Sequence, residues 1–423
     1  MSTHRTLLRN HDFTVLWVGQ TISELGSRMS MFVFPLVAYA ITGSTLWAAA
    51  AEAANILGLA GALLPAGVLA DRTDRRRLMR VASASGCVLY ASLVVAAVAA
   101  TLTIPHLLVV ALLTGVAAGV FGPAEMSSVR TVVDDESLAT ALSQNQARQH
   151  VASLVGGPLG GALFAITRWL PFAVDAVTYA VSWVLLGRIR SDLSPASTTG
   201  PRVSPRESLL EGFRFVVRRP FFRVLMVWSA SVNLLINAVF FVAILRLIEA
   251  GFPAVQIGLV ETAIGIGGLL GAVAAPWIID RFRTGTLTVL IAWSFVPLVV
   301  PMVFWNNPLV VSLVVGAGLF LNPAGNAGIG AYRMAITPPD LQGRVQSTSQ
   351  FVSMSVMPAA PILAGVLLTT LGGPAGVAVL GVLTAGVALI PTLSRSVREV
   401  PRPVVWQAEL RASSAEVVVP AAG

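Results

Sequence analysis

The chain has 423 residues, 55% of them hydrophobic and only 11% charged, with a formal net charge of +8. Soluble domains carry about 25% charged residues, so this composition excludes an ordinary water-soluble protein and requires a solvent that is partly lipid. The positive balance reads as membrane orientation and not as nucleic-acid binding, and a single cysteine, Cys87, excludes a disulfide or thiolate metal site within one chain.

The N-terminus, MSTHRTLLRNHDF, is polar and shows no cleavable signal pattern, so the first apolar segment is expected to act as its own insertion signal. A spanning helix needs about 20 apolar residues. Twelve segments qualify: 13–40, 47–69, 78–100, 105–124, 144–166, 169–187, 221–247, 254–279, 286–305, 308–332, 345–371 and 374–393. Several adjoin across short polar or Gly/Pro turns, among them ITGST, TLTIPH, NNP and LGGPAG. No charged residue lies between Arg283 and Arg333, or between Arg344 and Arg395. Each gap is long enough for two spans and a tight turn. The fold class predicted is an all-α membrane protein of twelve transmembrane helices.

One composition shift interrupts the spans. SDLSPASTTGPRVSPRES is Ser/Pro-rich and reads as a linker. ESLLEGFRFVVRRP then carries apolar residues at helical spacing with basic residues towards its end, which predicts an amphipathic helix on the membrane surface. The domains expected are 1–187, a first six-helix bundle; 188–220, a cytoplasmic linker; 221–395, a second bundle; and 396–423, a mobile tail.

Arginine sets the orientation. All 28 basic residues are arginine, for which coding bias is the simplest account. With the N-terminus inside, the cytoplasmic segments hold Arg5 and Arg9, five arginines in 72–80, Arg130 and Arg148, eight from Arg188 to Arg223, Arg281 and Arg283, Arg333 and Arg344, and four from Arg395 to Arg411. Only Arg28, Arg168 and Arg246 fall elsewhere. Both termini are therefore predicted to be cytoplasmic, in a multi-pass protein of the plasma (inner) membrane.

The chain repeats itself. An offset of 209 pairs Glu52 with Glu261, Gly58 with Gly267, Asp71 with Asp280 and Arg72 with Arg281, and it sets Glu24 against Asn233 and Arg28 against Asn237. Near an offset of 200, FGPA (121–124) answers LNPA (321–324). Six spans repeated in the same orientation imply two bundles related by a pseudo-twofold axis along the membrane normal.

Gly67-Val68-Leu69-Ala70-Asp71-Arg72, followed by Arg75 and Arg76, resembles the loop 2–3 signature of the major facilitator superfamily, with Asp74 where many members have glycine. Asp280 and Arg281 form a degenerate second copy. Gly156-Gly157-Pro158-Leu159-Gly160-Gly161 resembles the antiporter signature of the exporters in that superfamily. LLRNHDFTVLWVGQTIS, FGPAEMSSVRTVV and DAVTYAVSWVL are similar to the branch that holds macrolide-efflux proteins and the enterobactin exporter. The resemblance covers residues 8–395 and implies drug:proton antiport. Two features depart from it: span 4 has no arginine, and Ser27 stands where an acid is expected in span 1, with Glu24 one turn earlier.

For each candidate a plainer reading stands beside the functional one. The resemblance implies that Gly67, Asp71 and Arg72 latch the two halves, whereas Arg75 to Arg77 are explained by topology alone. The glycines of 156–161 fit either a sealed contact between spans 5 and 8, as the resemblance implies, or ordinary close packing. Glu24 lies twelve residues after Asp12, roughly 18 Å along a helix, with Arg28 one turn on. These two, with Asn233 and Asn237 in span 7, are expected to converge on the cavity that the resemblance places between spans 1 and 7. The alternative is a self-neutralised pair that tethers span 1. Asp175 in span 6 is a buried proton site or a packing lock. Glu52 and Glu261 form an outer gate or proton entry, or are solvated helix-end residues.

No G-x-x-x-x-G-K-[ST] loop is present, so no ATP hydrolysis is expected of this chain, and its four histidines show no metal spacing. The expected function is a non-enzymatic secondary exporter of small amphipathic compounds in exchange for protons. It would have no cofactor or metal, no nucleic-acid partner, the lipid bilayer as surround, and a monomeric state. A dedicated exporter of one metabolite, such as a siderophore or a self-made antibiotic, is the rival reading. A membrane scaffold or sensor without transport is the rival from another class.

Overall fold

A computed structural model describes residues 7, 10–70, 72–194, 205–338 and 341–408. Asp71, most of the Ser/Pro-rich run and the end of the tail lie outside the described residues. The helices, in order, are α1 (His11–Thr42), α2 (Thr45–Ala70), α3 (Arg75–Val98), α4 (Ile104–Val132), α5 (Asp135–Ile166), α6 (Leu170–Leu186), α7 (Pro205–Arg218), α8 (Pro220–Glu249), α9 (Ala254–Arg281), α10 (Thr284–Phe304), α11 (Pro308–Leu319), α12 (Asn322–Ala335), α13 (Gln342–Ser355), α14 (Ala359–Leu371), α15 (Gly373–Leu393) and α16 (Arg395–Arg398). No strand occurs among the described residues. Among the described residues eleven stretches are long and apolar enough to cross a membrane, and α6 is a shorter apolar helix of 17 residues. Helix is the form that satisfies every backbone donor and acceptor within its own segment, as lipid demands.

Local chemistry marks the helix ends. Asn10 Oδ1 accepts from the backbone N–H groups of Asp12 and Phe13 at the start of α1. Asp74 does the same for Arg76 at the start of α3, and Asn307 for Leu309 at the start of α11. Gly43 closes α1 at φ 65°, a left-handed conformation that glycine adopts at no steric cost.

The expected spans over 308–332 and 345–371 are present as Pro308–Ala335 and Gln342–Leu371, each with a turn inside it. The first breaks at Phe320 and Leu321, ahead of Pro323, into α11 and α12; the second breaks at 356–358, at Pro358, into α13 and α14. Proline has no N–H for the ladder and clashes with the preceding turn. Hydropathy continues across both sites, so composition alone does not reveal them.

Contacts group the chain into two compact units. Unit 1 comprises Met1–Thr199, Phe241–Gly265 and Pro358–Gly372. Unit 2 comprises Gly200–Phe240, Ile266–Met357 and Gly373–Gly423.

In unit 1, α2 and α4 cross backbone to backbone. A Cβ added at Gly58 would overlap the Leu112 carbonyl oxygen and stand 3.0 Å from its carbon. One added at Gly115 would likewise overlap the Asn55 carbonyl and stand 3.0 Å from that carbon. Elsewhere in the unit, Phe34, Tyr90 and Phe172 join α1, α3 and α6 in an aromatic cluster, with Phe34 and Phe172 centroids 5.4 Å apart. In unit 2, α9 and α11 repeat the close crossing. Cβ atoms at Gly267 and Gly271 would overlap the carbonyls of Gly316 and Phe320. Gly58 and Gly267, paired by the 209-residue offset, thus perform the same task in their own units. The amphipathic α7 packs on α13, where Gly212 meets the Arg344 backbone and Glu211 pairs with the Arg344 guanidinium.

Candidate functional site

Glu24 and Arg28 lie one turn apart on α1, where Arg28 Nε donates to Glu24 Oε1 at 3.0 Å. Their side chains keep 26% and 40% exposure respectively. The pair is thus formed but not enclosed by protein, although its sequence neighbours Met29 and Ser30 are fully buried. A charged pair left accessible halfway along an apolar helix is unusual, because intramembrane ions are otherwise neutralised in the interior.

Arg28 rests on α5. The motif over 156–161 consists of two interleaved i,i+4 glycine pairs. Gly156 and Gly160 face α1: a Cβ on Gly156 would collide with Cβ of Arg28, and one on Gly160 would stand 2.8 Å from the Met29 carbonyl oxygen. Gly157 and Gly161 face α9: a Cβ on Gly157 would stand 2.5 Å from Glu261 Oε2, and one on Gly161 would stand 2.5 Å from the Ala254 carbonyl oxygen. Pro158 lies between them. A proline at 158 leaves the Leu154 carbonyl without its usual N–H donor. The Thr262 hydroxyl of α9 donates to that carbonyl at 2.7 Å. All these residues belong to unit 1.

Glu52 on α2 is also in unit 1 and is 4% exposed, so it is not a solvated helix-end residue. Asp175 on α6 is fully buried, and Thr178 Oγ1 donates to its Oδ1 at 2.9 Å. Its Oδ2 and the nearby Ser30 hydroxyl have no geometrically satisfied hydrogen bond among the described residues. Gly26 leaves the space that the Asp175 carboxyl and Thr178 occupy. Tyr179, one turn from Asp175, bonds to Ser27 of α1 at 3.0 Å.

One ion pair is absent from the sequence reading. Arg148 of α5 donates to Glu125 of α4 at 2.7 Å, with side-chain exposures of 2% and 13%. In the sequence Arg148 counts only towards orientation. Its buried partner stands just past the predicted end of span 4, in the stretch where α4 runs on to Val132.

At the other end of unit 1, Arg75 donates to Thr131 at 3.2 Å and Arg76 donates to the Ser191 carbonyl. Both arginines therefore have local structural partners beyond topology. Gly67 lies in the last turns of α2, Arg72 is exposed, and Asp71 is outside the described residues. Asp12, 7% exposed, accepts from Arg190 N at 3.0 Å, Ser191 N at 2.7 Å and the Ser191 hydroxyl, tying the start of α1 to the end of α6. Asn10 adds a bond to the Val132 carbonyl at 2.6 Å.

In unit 2, Asn233 and Asn237 of α8 donate to carbonyls one turn back on their own helix, Ser229 at 2.9 Å and Asn233 at 2.8 Å. Asp280 and Arg281 lie at the end of α9, with Arg281 exposed. Among the described residues no group of three or more His, Cys, Asp or Glu is gathered for a metal.

The family model of the Major Facilitator Superfamily matches residues 16–357. The multidrug efflux pump Tap of Mycolicibacterium fortuitum is 26% identical over 362 residues, which cover 82% of this chain and 87% of Tap. The enterobactin exporter EntS of Shigella flexneri is 25% identical over 291 residues, covering 67% of this chain and 68% of EntS. Among solved structures, the nucleoside transporter NupG superposes with a TM-score of 0.71 at 10% identity, covering 90% of this chain and 98% of NupG. A bacterial homologue of the lysosomal transporter Spinster, inward-facing and unoccupied, superposes with a TM-score of 0.68 at 15% identity, covering 93% of this chain and 99% of that one.

Proposed function

The chain belongs to the major facilitator superfamily, and on that premise we propose that it exports small amphipathic compounds in exchange for protons. The observation that carries this reading is the Glu24–Arg28 pair, formed at 3.0 Å yet accessible along α1. The names of the multidrug efflux pump and the enterobactin exporter support the direction of transport.

In this mechanism two six-helix halves, with boundaries near residues 187 and 221, rock about a site near the bilayer midplane. The carboxylate of Glu24 holds either Arg28, a proton or a cationic substrate group. A proton arriving from outside neutralises Glu24 and weakens its hold on substrate; its departure inside restores the ion pair. The repeat sets Asn233 and Asn237 of α8 against Glu24 and Arg28 of α1, polar residues without a charge of their own. Asp175 is the second candidate for the proton. The protein works as a monomer in the plasma membrane with both termini cytoplasmic. A dedicated exporter of one metabolite is the second reading, favoured by the enterobactin exporter among the relatives.

The test is efflux of ethidium from a pump-deleted host carrying this gene. Efflux should collapse with a protonophore while ATP is maintained, and efflux that persists removes proton antiport. On the purified protein, Glu24→Gln should keep substrate binding and lose proton-driven accumulation. Full coupling in that variant would transfer the role to Asp175.

A further inference from the structure

Unit 2 carries an open apolar groove of about 490 Å³ where α9, α10 and the turn between α11 and α12 meet. One wall is the end of α9, with Trp277, and Phe282 follows it at the turn into α10. The other wall is a stripe of α10 at helical spacing, Leu287, Leu290 and Ser294. Phe320, at the turn inside the tenth span, completes the lining. From Thr284 to Ser294 α10 rises roughly 15 Å, half of the ~30 Å hydrocarbon core and so one leaflet deep.

Along that depth the groove offers hydrocarbon and little else. Ser294 spends its hydroxyl on the Ile291 carbonyl at 2.8 Å, and the indole N–H of Trp293, which also lines the groove, donates to Thr392 at 3.0 Å. A drug-sized site keeps a few polar groups along its walls to orient the ligand; here the polar chemistry gathers at one end. Arg281 and Arg283 flank Phe282 and are both exposed. Trp277, 69% exposed, lies one turn before Arg281 on α9, and tryptophan is enriched at the level of lipid headgroups. The other charges at this end are Asp280 and, from α16 and its flank, Arg395, Arg398 and Glu399. That segment is held beside the start of α10 by bonds from Thr284 N to the Pro401 carbonyl at 3.3 Å and from Gly285 N to the Val400 carbonyl at 3.1 Å. Arginine outnumbers acid there, which suits an anion.

The repeat shows that the fold itself does not demand this groove lining. The offset of 209 also relates the first residues of α3 and α10, Arg75 and Thr284. At that offset Trp277, Phe282 and Trp293 stand against Val68, Thr73 and Ala84, and Arg283 stands against Asp74. The aromatic wall and the second arginine belong to the second half alone.

We propose that this groove binds an anionic phospholipid, with an acyl chain along α10 against Trp293 and Phe320 and the phosphate held by Arg281 and Arg283. A hydrocarbon trough one leaflet deep, ending in a pair of arginines, matches that shape and charge. The site depends neither on the direction of transport nor on protons.

The experiment uses the full chain in phosphatidylcholine nanodiscs that contain a small fraction of lipid brominated on its acyl chains, either phosphatidylglycerol or phosphatidylcholine. Bromine quenches tryptophan on contact. Brominated phosphatidylglycerol should quench at lower mole fraction than brominated phosphatidylcholine, by about fivefold for each arginine engaged. Arg281→Gln with Arg283→Gln should bring the two lipids level, and Arg281→Lys with Arg283→Lys should keep the preference. Trp277→Phe with Trp293→Phe should remove the excess quenching by phosphatidylglycerol, although the other tryptophans remain. Equal quenching by both lipids in the parent protein overturns the site. An excess that survives the glutamine pair overturns the role of the arginines, and one that survives the phenylalanine pair overturns the groove as its place. Equal quenching that tetraphenylphosphonium relieves saturably overturns the lipid and gives the groove to a cationic amphiphile.

Discussion

The crossing of α2 and α4 allows a quantitative test at one atom. Gly58→Ala places a methyl group over the Leu112 carbonyl, 3.0 Å from both Leu112 C and Val116 N. Carbon atoms in good contact stand about 3.5–4.0 Å apart, so these two contacts alone call for a separation of ~0.5 Å, and the overlapped carbonyl oxygen calls for more. Both partners are backbone, and no side chain can swing aside. Overpacking of this kind costs about 1–3 kcal/mol, and each Cα–H···O interaction broken by the separation adds about 0.5–1 kcal/mol. Alanine returns about 1 kcal/mol of helix propensity. Gly61→Ala is the internal control, since nothing lies within 4 Å of its added Cβ and it gains the propensity alone. The two variants should differ by about 2–4 kcal/mol, or about 2–5 °C in apparent melting temperature at roughly 1 °C per kcal/mol for a chain of this length. Thermal scans of detergent-purified protein by size-exclusion fluorescence measure this. Gly267→Ala and the unobstructed Gly268→Ala should show the same contrast. A Gly58→Ala protein as stable as Gly61→Ala would refute the close crossing.

Other consequences are as direct. Asp12→Ala removes the acceptor for two backbone N–H groups and one hydroxyl and should lower stability by about 1.5–3 kcal/mol, read in the same scans; an unchanged melting temperature would show that water replaces it fully. Thr262→Val should cost about 1–2 kcal/mol beside Pro158 and much less beside Pro158→Ala, whose restored N–H supplies the Leu154 carbonyl; additive effects in that double-mutant cycle would disconnect the two residues. Reporter fusions after residues 43, 103 and 371 should read outside, and those after 76, 200 and 396 inside. One reversal would break the orientation.

The spans were legible in the sequence because lipid imposes a length and an apolar composition that few other environments share. The family was legible in Gly67 to Arg72 and in the glycines of 156–161, since spacing of rare residue types survives where apolar positions drift. The breaks at Leu321 and Pro358 were not, because their flanks stay apolar and a proline in a span can as well kink as interrupt. Nor was the Glu125–Arg148 pair, since an arginine near a helix end satisfies the orientation rule whether or not it has a buried partner. The two faces of the α5 motif needed coordinates. Gly156 and Gly157 are identical letters, and only the neighbours of their missing Cβ atoms distinguish α1 from α9.

The bond from Thr262 to the Leu154 carbonyl spans 108 residues of chain. Synthesis at about 5–20 residues per second means that α5 enters the membrane roughly 5–20 s before the hydroxyl that completes its ladder has been made. During that interval the nascent first half carries an open carbonyl beside Pro158, at a depth where lipid offers no donor. Water, the translocation machinery or a neighbouring helix must supply a temporary one. Span 5 is thus finished by a later helix of the same chain, and a first half expressed alone lacks the group that completes its own fifth helix.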